Sequence, residues 1–115
     1  MPARLSTHVL DIARGCPARN MQIELWSLAG SNRTLLKTVR TNSDGRADEP
    51  LLSAQDLKVG EYELVFFVGD YYEADSRTTR FLDRVPVRFG IADANASYHI
   101  PLLCSPWAYS TYRGS

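Results

Sequence analysis

Short stretches of alternating or apolar residues, each closed by a turn signal, follow one another along the whole of this chain. Side chains of a strand point to opposite faces in turn, so alternation with period two marks a sheet that buries one face. MQIELWSLAG alternates most cleanly, with Met21, Ile23 and Leu25 on one face and Gln22, Glu24 and Trp26 on the other. LSTHVLDI, TLLKTVRT, VPVRFGI, SYHIPLLCS and WAYSTYRGS read as further strands, with Pro86 marking an edge. EYELVFFVG is apolar at nearly every position after Glu63, so burial on both faces is expected. ADEPLL reads as a short edge strand interrupted by Pro50. ARGCPARN, GSNR, the Asp44-Gly45 pair and DANAS supply the breaks. Only GDYYEADSRTT, residues 69–79, reads as a helix, with Asp70 available to cap it.

Seven or eight short strands, one short helix and no strand–helix–strand alternation imply an all-β chain folded as an antiparallel β-sandwich. A chain of 115 residues suits a single domain, residues 1–115, with one buried core.

Charge excludes some functions. Lys and Arg number 13 against 13 Asp and Glu, and no basic run or stripe stands out, so neither nucleic acid nor an anionic membrane is an expected partner. The opening MPARLSTHVLDIARG lacks a signal-peptide core, and no apolar run approaches the roughly 18 residues of a spanning helix. The expected compartment is therefore the cytoplasm. Cys16 and Cys104 are far apart and are expected as reduced, partly buried thiols. Together with His8 and His99 they form no HxH or CxxC pair, so no metal is expected. No P-loop, GxGxxG or GxSxG motif occurs, and no cofactor is expected.

The candidate chemistry rests on few side chains. His8 and His99 are the only histidines, each within an expected strand, and an imidazole is suited to proton transfer near neutrality. A lone strand histidine is more often structural or merely exposed than catalytic. Arg46 follows the Asp44-Gly45 turn and reads either as a solvated turn residue or as a clamp for an anion or carbonyl. In the last strand, Trp107, Tyr109, Thr111 and Arg113 share one face, and Ala108, Ser110, Tyr112 and Gly114 the other. The second set resembles the lining of a cleft. A chain closing on a hydroxyl, a guanidinium and a carboxylate suggests that its end belongs to a working site.

Four segments together resemble a known family. They are LSTHVLD with GCPA just after it, TNSDGR, SYHIPLL and the closing SPWAYSTYRGS. This set closely resembles the transthyretin-like 5-hydroxyisourate hydrolases of purine degradation, over essentially the whole chain and in order. Tyr112-Arg113-Gly114-Ser115 is the specific part. Transthyretin is similar around SPxxYST but lacks this ending and the hydrolase histidines. Cys104 is a small departure from the family's usual residue, with no expected effect on catalysis.

The resemblance implies a sandwich of two four-stranded sheets and a homotetramer built as a dimer of dimers, with active sites in a groove between dimers. It implies an enzyme that hydrolyses 5-hydroxyisourate to 2-oxo-4-hydroxy-4-carboxy-5-ureidoimidazoline by water attack at C6. His8, Arg46, His99 and Ser115 are the implied catalytic residues. Ser110, Tyr112, Arg113 and Gly114 join His8, Arg46 and Ser115 in binding substrate. His99 is the favoured general base, although sequence leaves the choice between the histidines open. A non-enzymatic carrier of the transthyretin kind, binding a small aromatic ligand in the same groove, is the alternative. A β-sandwich interaction module without activity is a second. A carrier has no need to keep His8, Arg46, His99 and the YRGS ending together.

Overall fold

The structure is a computed structural model that describes residues 2–74 and 80–115. Strand β1, Leu5–Asp11, buries Leu5, Thr7, Val9 and Asp11 and leaves Ser6, His8 and Leu10 partly open, as its alternation requires. It is followed by β2 (Cys16–Pro17), β3 (Gln22–Ala29), β4 (Asn32–Arg40) and β5 (Gly60–Phe67). Helix α1 (Val68–Ala74) leads to β6 (Arg84–Ile91), β7 (Tyr98–Cys104) and β8 (Tyr109–Thr111). Two four-stranded sheets result, ordered β2-β1-β7-β8 and β4-β3-β5-β6. Their inner faces meet in one cluster that includes Leu5, Val9, Met21, Ile23, Leu25, Leu64, Phe66, Ile100 and Leu102. The expected all-β sandwich with one short helix is the fold observed.

Four details depart from the sequence reading. The pair β1–β7 runs parallel, with Leu5 opposite Tyr98 and Asp11 opposite Cys104, in a sandwich expected to be antiparallel throughout. Parallel neighbours need a long crossover, and here nearly the whole chain separates them, so local turn signals could not reveal the pairing. ADEPLL forms no strand. Pro50 lacks an N–H, and only Leu52 makes an isolated bridge to Leu5. Cys16–Pro17 pairs with β1 inside the stretch read as a break, because Gly15, at φ +74°, turns the chain back on itself. In WAYSTYRGS only Tyr109–Thr111 is strand. Ser105 claims the residues before it, its Oγ accepting from Trp107 N (3.2 Å) and Ala108 N (3.1 Å).

The helix starts at Val68, so Asp70 lies in its first turn and pairs with Arg80 at 2.8 Å rather than capping it. The part of the expected helix at 75–79 lies outside the described residues. Strand β5 is buried from Tyr62 to Phe67, as its apolar run implied. Glu63, the polar member, is satisfied by Arg33 (2.9 Å) and Arg88 (3.4 Å).

Asp11 closes β1 as a fully buried carboxylate. It accepts from Tyr71 Oη (2.8 Å), Tyr72 Oη (2.7 Å), Ala13 N (3.0 Å) and Arg14 N (3.1 Å). Four donors replace the water this carboxylate loses, and they tie α1 to the end of β1. Burial and the carboxylate together push both phenols well above their usual range.

Candidate active site

The parallel register sets Ser6 opposite His99 and His8 opposite Pro101. Leu5, Thr7 and Val9 turn into the core, so Ser6 and His8 turn outward, onto the face that carries His99. Two imidazoles more than ninety positions apart in sequence thus become neighbours on one sheet face. His99 is partly buried, and its Nδ1 lies 2.8 Å from Ser6 Oγ.

The closing segment crosses the same face. Gly114 bridges His99 in antiparallel fashion, its N–H donating to the His99 carbonyl at 2.7 Å. Ser110 stands opposite Leu103, on the same face of β7 as His99. Tyr112 and Ser115 are exposed. Arg113 is turned the other way: its guanidinium carbon lies 4.3 Å from the Tyr98 ring centroid, and Nη2 donates to Ser97 O at 3.2 Å. Arg113 is thus separated from Ser110 and Gly114 as the alternation implied, but the ladder ends at Thr111, and Tyr112 lines a cavity together with Thr111 and Arg113 rather than standing with Ser110 and Gly114.

Arg46 arrives on a loop built by Asn42. Asn42 Oδ1 accepts from Asp44 N (2.9 Å) and Arg46 N (3.2 Å), while Asn42 N donates to Arg46 O (2.7 Å). The tip is pinned to β1 by Val9 N donating to Gly45 O at 2.8 Å, next to His8. Only glycine serves at 45, where φ is +75° and a Cβ would collide with the Val9 carbonyl. Arg46 projects from this loop into solvent beside a cavity of about 180 Å³ that Arg4, Ser6, Asp48 and Leu51 also line.

Electrostatics tie these groups together. The His99 pKa is lowered from the usual histidine value, first by burial and then by Arg46, His8 and Arg4, against the raising effect of a hydrogen bond with the Ser6 backbone. A neutral imidazole at neutral pH is the state that accepts a proton. His8, Arg46, His99 and Gly114 are brought to one region, with Ser115 next in the chain; Ser110 shares the sheet face but lies opposite Leu103, four positions along β7 from His99, and Tyr112 and the Arg113 guanidinium lie together elsewhere. Sequence reasoning missed Ser6 and Arg4. Ser6 had a signal, since in LSTH it lies two positions before His8 and so shares its face. Arg4 had none without the three-dimensional register. Among the described residues no three His, Cys, Asp or Glu side chains converge as a metal site would require. No helix among them is long and apolar enough to cross a membrane.

Comparison with known proteins gives consistent results. Residues 5–114 match the model of the HIUase/Transthyretin family. The chain is 55% identical over 115 residues to the 5-hydroxyisourate hydrolase of Ralstonia nicotianae, covering 97% of this chain and 98% of that protein. The solved 5-hydroxyisourate hydrolase of Klebsiella pneumoniae superposes with TM-score 0.84 at 33% identity, covering 98% of this chain and 99% of that one. (S)-allantoin synthase superposes with TM-score 0.91 at 43% identity, and this chain, matched over 99% of its length, spans 45% of that larger one. Sea bream transthyretin, solved with thyroxine, shares the fold at TM-score 0.89 and 24% identity, over 97% of this chain and 95% of that one.

Proposed function

The chain belongs to the HIUase/Transthyretin family, and from that premise we propose that it is a 5-hydroxyisourate hydrolase whose reaction runs on the face shared by His8 and His99. The observation that carries this reading is the meeting of two imidazoles on one sheet face beside the Arg46 loop, with the closing Gly114 packed against His99, where a carrier needs no proton acceptor. Residues 1–115 act as one hydrolase domain.

Ring opening of 5-hydroxyisourate requires an activated water, stabilisation of the oxyanion that forms on C6, and a proton for N1 as the N1–C6 bond breaks. His99 takes the proton from water. Its depressed basicity keeps the neutral form populated at physiological pH, and a positioned base contributes roughly 10²–10⁴-fold. Arg46 faces the developing oxyanion, where a fixed cationic donor is worth about 3–4 kcal/mol in comparable sites. His8 orients the water or the substrate and relays the proton to N1. Ser115 holds substrate or water through its hydroxyl or carboxylate. Ser110, Tyr112 and Gly114 shape the wall. Arg113, laid over Tyr98, contributes by fixing the terminal segment against β7.

The working assembly in this reading is a homotetramer, a dimer of dimers, with the site in a groove between copies. What supports it is the outward placement of the site on a sheet face and the exposure of Trp107 (61%), Tyr109 (45%) and Tyr112 (60%) along the closing segment. Light scattering at micromolar concentration should give four times the chain mass. The setting in this reading is the cytoplasm, where the exposed thiol of Cys16 stays reduced.

The activity is tested by adding protein to freshly generated 5-hydroxyisourate and following its absorbance. Wild type should accelerate the decay strongly, His99→Ala should return it near the spontaneous rate, and deletion of Ser115 should weaken it. Binding of the compound without faster decay would favour the carrier reading instead.

A further inference from the structure

We propose that Ser6 is a positioning residue for the reaction: its hydroxyl accepts the Nδ1 hydrogen of His99 and so presents the basic Nε2 to the groove. This rests on the reading of His99 as the general base. The ground for it is geometric. Ser6 and His99 are register partners across the parallel β1–β7 pair, and Oγ lies 2.8 Å from Nδ1. The backbone holds the two groups together, and Gly114 closes the other side of the ring, where a Cβ would stand 2.6 Å from Cδ2.

A neutral imidazole carries one N–H and one lone pair, and the partner of one nitrogen decides the state of the other. With Nδ1–H given to Ser6, Nε2 keeps its lone pair and takes a proton from water. With the hydroxyl donating instead, Nε2 would hold the hydrogen and could not act as base. As the proton transfers from water to Nε2, hydroxide attacks C6 and the ring becomes an imidazolium whose Nδ1–H still needs an acceptor. Ser6 Oγ is that acceptor. The groups facing His99 are Arg46 from the loop, His8 from β1 and Arg4 just before it, which lower its pKa, and the Ser6 backbone, whose hydrogen bond raises it.

The test compares wild type, Ser6→Ala, Ser6→Thr and His99→Ala in rate–pH profiles, with ¹⁵N spectra of the imidazoles. Only two histidines exist, so His99→Ala assigns both rings. In wild type at pH 8, the His99 Nε2 should resonate as a bare lone-pair nitrogen. Ser6→Ala should turn this into a tautomer mixture, lower kcat about tenfold with little change in KM, and move the acid limb to lower pH. Ser6→Thr, which keeps a hydroxyl, should restore all three. Wild-type spectra and profile in Ser6→Ala would overturn the proposal while leaving His99 as base. Loss of activity in Ser6→Ala as deep as in His99→Ala would overturn it in favour of a nucleophilic serine. Full activity in His99→Ala would instead remove the base assignment and this proposal with it.

Discussion

Gly114 lies so close against the ring of His99 that a Cβ at 114 would stand 2.6 Å from Cδ2 and 3.2 Å from Cγ. The ring cannot swing aside freely, because Ser6 Oγ holds its Nδ1 at 2.8 Å. Gly114→Ala is therefore expected to displace the imidazole and lower kcat about 10- to 100-fold, the range that misplacement by about an ångström produces. Thermal stability should change little, since the terminal segment reaches β7 here through one backbone bond, Gly114 N to His99 O. Steady-state kinetics beside a melting curve separate the two effects. Unchanged kcat would mean that the ring has room the geometry does not provide.

Gly45→Ala should behave differently. It meets a left-handed φ of +75° and a collision with the Val9 carbonyl, with Pro17 Cβ at 3.2 Å behind. The loop carrying Arg46 would lift off β1, and the bond from Val9 N to Gly45 O would be lost. About 2–4 kcal/mol of destabilisation is expected, with activity falling in parallel. Urea denaturation followed by tryptophan fluorescence measures the first, and a midpoint like that of wild type would contradict the close approach.

How much of this was legible in the sequence follows from which signals are local. MQIELWSLAG and EYELVFFVG announced their strands and burial because alternation and apolar runs report directly on the faces of a sheet. The separation of Arg113 from Gly114 was legible for the same reason, whereas the place of Tyr112 beside Thr111 and Arg113 was not, because the ladder ends at Thr111. The parallel pairing of β1 with β7 was invisible, because nothing near either segment encodes a partner more than ninety positions away. That pairing is what joins Ser6 to His99, so the residue types of the site were legible and their contact was not. The shortness of β8 was hidden in the Ser105 turn, whose side-chain bonds compete with the ladder.

Asp11 supports the face from behind. Its two oxygens receive two phenols and two backbone N–H groups. Asn at this position would set its amide NH₂ against Tyr71 Oη, which can accept from it only by losing the acceptor of its own hydrogen, and would remove the charge that strengthens the other three bonds. Asp11→Asn is expected to cost about 2–4 kcal/mol, and Tyr72→Phe about 1–2 kcal/mol. Chemical denaturation of the two single variants and the double variant tests this, and the double should cost less than the sum because the groups are direct partners.

The two thiols should differ sharply. Cys16 is exposed, whereas Cys104 is buried and its pKa is pushed up to about 12, chiefly by burial. Titration of the native protein with a disulfide reagent at pH 8 should modify one thiol per chain, and a second only after denaturation. Rapid modification of both in the native state would show that β7 opens more readily than its packing implies.

Arg46 ties the basicity of His99 to the stabilisation of the oxyanion, and the two effects have separable signs. Burial lowers the His99 pKa first, and the Arg46 charge lowers it further. Removing that charge in Arg46→Gln lets the pKa rise toward its ordinary value of about 6.5, so the acid limb of kcat/KM should move to higher pH. The plateau above the limb should fall about 10²–10³-fold as the oxyanion loses its donor. Arg46→Lys keeps the charge but loses the planar fork, so its limb should stay near that of wild type while its plateau falls by less. Arg46 is exposed, so the displacement between the wild-type and Arg46→Gln limbs should shrink at 1 M salt, where charges are screened within about 3 Å. A limb that stays put in Arg46→Gln at low salt, or moves toward acid, would separate Arg46 from His99 and leave it acting on substrate alone.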